Sequence, residues 1–112
     1  MSQHEDVMRL RHMLASAQEA RALIRGRKRA ELDANHMLEL ALTRLLEIVG
    51  EAANRVSEDM QQQHPEIPWR HIIGLRHRLI HGYDSVDLDI LWDIVQYDLP
   101  PLISALKEVL NP

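Results

Sequence analysis

The stretch LELALTRLLEIVGEAANRV, residues 38–56, sets how this chain can fold. Its apolar residues recur every three or four positions, which is typical of an amphipathic helix. The apolar side comprises Leu38, Ala41, Leu42, Leu45, Val49, Ala52 and Val56, and it is widened by Met37, Leu46, Ile48, Ala53 and Met60. The resulting arc covers about half the circumference, more than the usual stripe of ~100°. An arc this wide must be covered from two sides, and a second subunit is a natural source of cover, so we expect a homodimer.

Four helices are predicted in all. The first spans about residues 3–25, the second about 31–63, the third about 68–81, and the fourth begins near residue 87. Only four glycines and abundant Leu and Ala favour helix throughout. The fold class is therefore all-α, a small antiparallel bundle of four to five helices, and residues 1–112 are expected to form a single domain.

The ends of these helices carry recognisable signals. Ser2 and Glu5 fit a capping box at the first helix, and Asp33 or Asn35 could cap the second. Stop signals are expected at two glycines, Gly26 after the first helix and Gly82 after the third. The fourth helix, which Asp84, Asp87 and Asp89 introduce, runs across Pro100-Pro101, so a kink or break is expected near Leu99 with the same face still buried.

Composition and charge bound the function. The chain has no cysteine, which excludes disulfides and thiolate metal sites, and its first residues lack the apolar core of a signal peptide, so a cytoplasmic protein is expected. The net charge is −4, made of +1 over residues 1–83 (12 basic, 11 acidic) and −5 over residues 84–112 (one basic, six acidic). This balance argues against general nucleic-acid binding but leaves room for a local basic cleft.

The stretch RHRLIHGYD, residues 76–84, places several polar side chains at the end of an otherwise apolar helix. On a helical wheel Arg76 falls within the apolar arc, so it needs either an ion pair, for instance with Glu47 or Glu51, or an anion to bind. His81 would point about 140° away from Arg76 on one straight helix. The two can share a site only if the helix ends at or before His81, or if two chains combine.

Arg76, His81 and Tyr83 together could act on a phosphodiester. Arginine binds phosphate oxygens and stabilises developing negative charge, and histidine exchanges protons near neutral pH. RNA supplies its own nucleophile, the 2′-hydroxyl, so metal-free RNA cleavage is plausible with one Arg and one His. His77 and His81, spaced i, i+4, form a weaker alternative as two ligands of a metal ion. We expect neither a metal nor another cofactor.

Several blocks of this sequence resemble the HEPN superfamily. Arg76-x4-His81-x-Tyr83 resembles the R-x4-H-x-Y motif of its HepT-like toxins. The surrounding block at residues 64–92, LEIVGEAANRVSE at 46–58 and DLPPLISAL at 98–106 are similar to further parts of that family. The resemblance implies an all-α homodimer whose dimer cleft carries the motif, and a ribonuclease toxin of a type VII (HEPN/MNT) toxin–antitoxin system.

The resemblance also implies roles for single residues. Arg76 and His81 match the catalytic pair, and Tyr83 matches the tyrosine that an MntA-like minimal nucleotidyltransferase antitoxin modifies with AMP. His77 stands where such proteins often carry Asn or Asp, and it is expected, with Glu51, to support the site. The expected partners are a second copy of the chain, the antitoxin and RNA, with no membrane.

Other interpretations stay open. The main rival is a non-catalytic dimeric helical module that binds a nucleotidyltransferase partner or a nucleotide. The basic cluster at Arg25, Arg27, Lys28 and Arg29 is more simply a solvated loop than an RNA contact. Glu51 and Arg55 are expected to pair along one helix, and Trp69 and Trp92 to anchor the core.

Overall fold

The computed structural model describes residues 3–80 and 85–112. Within them the chain forms α1 (Gln3–Ile24), α2 (Ala30–Ala34), α3 (His36–Asn54), α4 (Glu58–Gln63), α5 (Trp69–Ile73), α6 (Leu75–Leu79), α7 (Leu88–Asp93), a π-helical turn (Ile94–Asp98) and α8 (Leu99–Leu110). The predicted all-α bundle is confirmed. No helix in these two ranges is both long enough and apolar enough to cross a membrane.

The core forms where α1 packs against both α3 and α8, in one hydrophobic cluster. One face of α1 is buried along its whole length, and α3 supplies the facing residues. The buried apolar residues of α1 are Leu10, Met13, Ala17, Ala20 and Ile24. Gly26 has a φ of +74°, so it ends α1 in the left-handed conformation that glycine adopts without strain, as predicted.

The wide apolar arc of α3 is covered within one chain. α1 packs on one side of it, and α5, α6 and α7 pack on the other. Of the apolar side chains on α3, Met37 (81% exposed) and Leu40 (55% exposed) stand out into solvent, both near its start. Helices of the same chain thus cover much of the arc, and its width does not by itself require a second subunit. The homodimer itself stays a prediction.

The predicted helix of residues 31–63 is three helices. Asn35 separates α2 from α3 and caps α3, its side chain accepting a hydrogen bond from Leu38 N at 3.0 Å, as one of the two expected caps. A second break lies at residues 55–57, where the Ser57 hydroxyl accepts from Met60 N at 3.2 Å and starts α4. Ser57 is held by buried Asp6 of α1, which accepts from its N–H at 2.9 Å and its hydroxyl at 2.6 Å. A tertiary contact thus ends the helix where the apolar pattern continues.

The third predicted helix is also divided. It consists of α5 and α6, separated at Gly74, and α6 ends at Leu79 instead of residue 81. A Cβ at residue 74 would lie 3.3 Å from Arg70 O, so a glycine suits this tight junction. Trp69 is buried at the start of α5, and its indole N–H donates to His64 O at 3.0 Å, as expected of a core anchor. Trp92, the other expected anchor, is only partly buried.

The last helical segment changes its winding before the two prolines. Leu99 N–H bonds to Ile94 O, five residues back, and Pro100 has no N–H to offer Val95 O. Arg21 of α1 fills this gap, donating to Val95 O at 3.3 Å and to the Gln96 side chain at 3.2 Å.

The same face stays buried across the change from π-helical to α-helical winding at Leu99, through Leu91, Val95, Leu102 and Leu106. The expected break near Leu99 is confirmed. Asp87 caps α7 by accepting from Ile90 N at 3.0 Å, so the start of this segment is also as predicted.

Candidate active site

A cleft of about 190 Å³ lies where α3 meets α5 and α6. Residues from three helices line it: Leu46, Glu47, Gly50, Glu51 and Asn54 of α3, Ile73 of α5, and Arg76 and His77 of α6. Gly50 makes this arrangement possible, because a Cβ there would lie 3.1 Å from Ile72 O. The glycine therefore lets the end of α5 approach α3 closely and brings α6 alongside the cleft.

Arg76 lies at the mouth of this cleft and not in the core. Its side chain is 68% exposed, and among the described residues its nearest charged partner is Glu47, at 4.0 Å. The fully buried residues of α5 and α6 are Trp69, Ile72, Leu75 and Leu79, whereas Ile73 and Ile80 are only partly buried, so Arg76 lies at the edge of the buried face. The sequence placed Arg76 within a continuous apolar arc, and the structure corrects this. The ion pair with Glu47 exists, but it is loose and open to water, so most guanidinium donors stay available to an anion.

The two residues expected to support the site both line the cleft. His77 is exposed beside Arg76 on α6, and Glu51 is exposed on α3. Glu51 pairs with Arg44 at 3.7 Å, and Arg44 also reaches Glu47 at 3.8 Å. The expected Glu51–Arg55 pair is therefore replaced by contacts to Arg44. Glu47 and Glu51 share Arg44, which offsets part of the negative charge that they bring to the cleft.

His81 and Tyr83 lie outside the described residues, so their predicted roles remain predictions. Their described neighbours nevertheless show where the helix ends. Ile80 is extended after α6 and pairs with Val86 in an isolated antiparallel bridge, while Asp87 N donates to Leu79 O at 2.9 Å. The helix that carries Arg76 thus ends before His81. The separation of about 140° between Arg76 and His81, which assumes one straight helix, therefore does not apply. The first of the two conditions for a shared site, a helix that ends before His81, is met.

The basic cluster after α1 is largely engaged within the chain. Arg27 lies 3.4 Å from Glu31, and Arg29 lies 2.8 Å from Asp89 and 3.2 Å from Asp33. Burial alone would lower the pKa of the Arg29 guanidinium, but hydrogen bonds and charge from Asp89 and Asp33 outweigh it and raise that pKa. These contacts tie the start of α2 to α7. The interpretation as a loop feature is favoured over an RNA contact.

Two polar clusters were missed from the sequence. His71 and Arg78 contact each other on the side of α5 and α6 near Asp98, which lies 3.8 Å and 3.6 Å from them respectively. Their spacing of seven residues could have suggested a shared face, but Asp98 comes from the distant π-helical turn. In the second cluster, Arg9 of α1 and Arg55 at the end of α3 line one cleft; they are 46 positions apart in sequence, so no local pattern marks it. Among the described residues no group of three His, Cys, Asp or Glu side chains is placed to hold a metal ion.

Comparison with known proteins gives the family. The sequence model described as "Ribonuclease HepT-like" matches residues 13–109. A Thermococcus cleftensis protein named "Probable ribonuclease HepT" is 45% identical over 71 residues, which cover 63% of this chain and 64% of that protein.

Two further relatives have names that class them as candidate RNases. One, from Methanocaldococcus jannaschii, is 39% identical over 75 residues, covering 67% of this chain and 69% of its own length. The other, from Caldanaerobacter subterraneus, is 31% identical over 102 residues, covering 91% of each chain. No solved structure gives a significant match. With the family model matching most of its length, this chain belongs to the HepT-like ribonuclease family.

Proposed function

We propose that this protein is an endoribonuclease that cleaves RNA without a metal ion, through Arg76 and His81. The observation that carries the proposal is the setting of Arg76. Its guanidinium stands at the mouth of an open cleft, mostly exposed, and no carboxylate of residues 3–80 or 85–112 forms an ion pair with it at less than 4.0 Å. A phosphate can therefore displace a weak partner instead of breaking a buried ion pair, which would cost much more. Membership of a ribonuclease family supports the same conclusion.

The chemistry follows from these two side chains and the substrate. The 2′-oxygen of RNA attacks the adjacent phosphorus while His81 accepts the 2′-proton. The bond from phosphorus to the 5′-oxygen breaks, that oxygen takes a proton, and the products carry a 2′,3′-cyclic phosphate and a 5′-hydroxyl. Arg76 binds the non-bridging oxygens, whose negative charge grows in the transition state. In a dimer whose cleft is lined by residues of both chains, here called a composite cleft, the His81 of the second chain can donate the proton that the leaving oxygen needs.

The biological role that fits this chemistry is that of a toxin. We propose that an MntA-like nucleotidyltransferase antitoxin silences the protein by attaching AMP to the Tyr83 hydroxyl. Tyr83 is two residues from His81 in sequence, so the added phosphate would be an anion close to the catalytic residues. It would compete with RNA for Arg76. Glu47 and Glu51 carry negative charge nearby, so the cleft can bind only a limited number of phosphates at once.

The proposal is tested with purified protein and a mixed-sequence RNA in EDTA. Wild type should cut the RNA, and His81→Ala should reduce cleavage by about 100-fold or more, as expected for loss of a proton-transfer group. His4→Ala is the matched control, because His4 is exposed at the start of α1, far along the chain from the motif. Circular dichroism and sedimentation establish that fold and assembly are unchanged. Full cleavage by His81→Ala would contradict the mechanism, and binding without any cleavage by wild type would favour a non-catalytic module.

A further inference from the structure

A second cleft, of about 180 Å³, lies on the adjacent face of α3, where that helix meets α1. Arg9 and His12 of α1 face Arg55 and Glu51 of α3 across it, above the apolar Ile48 and Ala52. Apart from Glu51, which also lines the first cleft, none of these side chains takes part in the proposed cleavage step. A cleft with two guanidinium groups and one carboxylate has the charge expected of an anion site.

The state of Arg9 distinguishes this cleft from an ordinary charged surface. Its Nε is buried and has no hydrogen-bond partner. A buried N–H without an acceptor is unfavourable, and Arg9 as a whole is only partly buried, so a small movement of its side chain toward an anion in the cleft would give this N–H an acceptor. Arg55 is exposed at the end of α3, within reach of a ligand that enters the same cleft. The two arginines, one partly buried and one exposed, can therefore both donate to a single anion.

The two clefts are neighbours. Glu51 lines both of them, so they flank α3 at the same height along the helix. A helix with its side chains is about 10–12 Å across, which a short stretch of single strand can span. Three arginines (9, 55 and 76) and two glutamates (47 and 51) line the clefts, and a fourth arginine, Arg44, pairs with both glutamates. Four positive and two negative side chains give this surface a net charge of +2. The whole chain carries −4, so this surface is locally basic on an acidic protein.

We propose that the second cleft binds a phosphate of the RNA strand that flanks the one being cleaved. A single strand would cross α3 with one phosphate at Arg76 and another between Arg9 and Arg55. Phosphate contacts of this kind fix the position of a strand without reading its sequence. The inference rests on the proposed RNA cleavage, to which it adds the path of the substrate.

The test measures binding of a short 2′-O-methyl RNA, which lacks the nucleophile and so cannot be cut. Fluorescence anisotropy over a range of salt concentrations gives the slope of log affinity against log salt. On a single strand that slope falls in magnitude by about 0.7 for each phosphate that the protein no longer neutralises. Arg9→Gln/Arg55→Gln should lower it by about that amount and weaken binding. Arg11→Gln/Arg25→Gln, two exposed arginines that line neither cleft, is the matched control and should leave the slope unchanged.

Two further measurements guard against a trivial loss of folding. Glu51→Gln removes the carboxylate between the clefts and leaves Arg44 paired with Glu47 alone, so it should tighten binding by several-fold, an effect that misfolding cannot produce. Arg9→Gln/Arg55→Gln should reduce the cleavage rate on a long RNA at least about tenfold more than it reduces the rate on a dinucleotide. Circular dichroism checks each variant, and Arg55→Gln alone, at an exposed position, replaces the double variant if that one is unfolded.

The outcomes separate the two proposals. If wild type cuts RNA but the arginine variant has the slope and cleavage of the control, the second phosphate site is wrong while the function stands. If the arginine variant lowers the slope as expected but wild type cuts no RNA, the second phosphate site stands and the proposed cleavage is wrong. If wild type does not bind the RNA at all, both are overturned. A protein carboxylate as the true occupant would appear as the first of these results.

Discussion

Asp6 should contribute more to stability than a typical polar residue of α1, because it holds the junction between α3 and α4. Asp6 is only 4% exposed, and its carboxylate accepts two hydrogen bonds from Ser57, at 2.9 Å from the N–H and 2.6 Å from the hydroxyl. Ser57 in turn caps α4 through Met60 N. Hydrogen bonds to a charged group contribute about 1.5–3 kcal/mol each. Ser57 is partly exposed, so water can replace some of this, and Asp6→Ala should lower the free energy of unfolding by about 2–4 kcal/mol.

The assay is urea unfolding followed by circular dichroism, with all variants at one protein concentration, since an oligomer's stability depends on concentration. Asp6→Asn should lose less, about 1–2 kcal/mol, because its amide can still accept from Ser57 N–H. Glu19→Ala, an exposed acidic position on the same helix, should change stability by less than about 0.5 kcal/mol. In a double-mutant cycle Asp6→Ala and Ser57→Ala should be strongly non-additive. A loss for Asp6→Ala no larger than for Glu19→Ala would refute the role of this contact.

Three further predictions concern the site and the assembly. Arg76→Lys should lower kcat/KM for RNA cleavage by about 100-fold, because an ammonium cannot make the paired contacts of a guanidinium; near-wild-type rates would show that only charge matters. Tyr83→Phe should keep most of the cleavage activity but escape silencing by a co-expressed nucleotidyltransferase, with mass spectrometry to locate AMP on the wild-type protein; a silenced Phe variant would contradict the switch. Sedimentation at micromolar concentration should give the mass of two chains, and a mass of one chain would remove the composite cleft.

Much of the fold could be predicted from local signals. The first turn of α3 is capped by Asn35, α7 by Asp87, and α1 ends before Gly26, each as its residue type indicated. These features depend on groups within about one turn of each other, so the sequence carries them directly. The fold class follows from them together with the apolar periodicity.

The breaks within the predicted helices could not be found in this way. Ser57 starts a new helix because of Asp6, which is 51 positions away, and the apolar spacing continues across the break. The break between α5 and α6 at Gly74 lies beside the place where Gly50 lets α3 and the end of α5 approach each other closely. A contact between distant segments has no local signature.

The same limit applies to the site. The sequence identified Arg76 and named Glu47 as a possible partner, and the structure places the two 4.0 Å apart. It could not show that Arg76 is exposed, because Ile73 and Ile80, which widen the apolar arc around Arg76 in the sequence, are only partly buried in the fold. Nor could it show that Glu51 would contact Arg44, seven positions away, instead of Arg55 at the usual helical spacing of four, because the side-chain conformations select the partner.

The chemistry of the RNA ends is the sharpest test of the proposed cleavage mechanism. Purified wild type is incubated in EDTA with an RNA of defined sequence, and with the same RNA carrying a single 2′-deoxy nucleotide on the 5′ side of the main cut. We expect fragments that end in a 2′,3′-cyclic phosphate and begin with a 5′-hydroxyl, and no cut at the deoxy position. Cleavage at the deoxy position, or fragments with 5′-phosphate and 3′-hydroxyl ends, would contradict attack by the RNA's own 2′-hydroxyl and with it the roles given to Arg76 and His81.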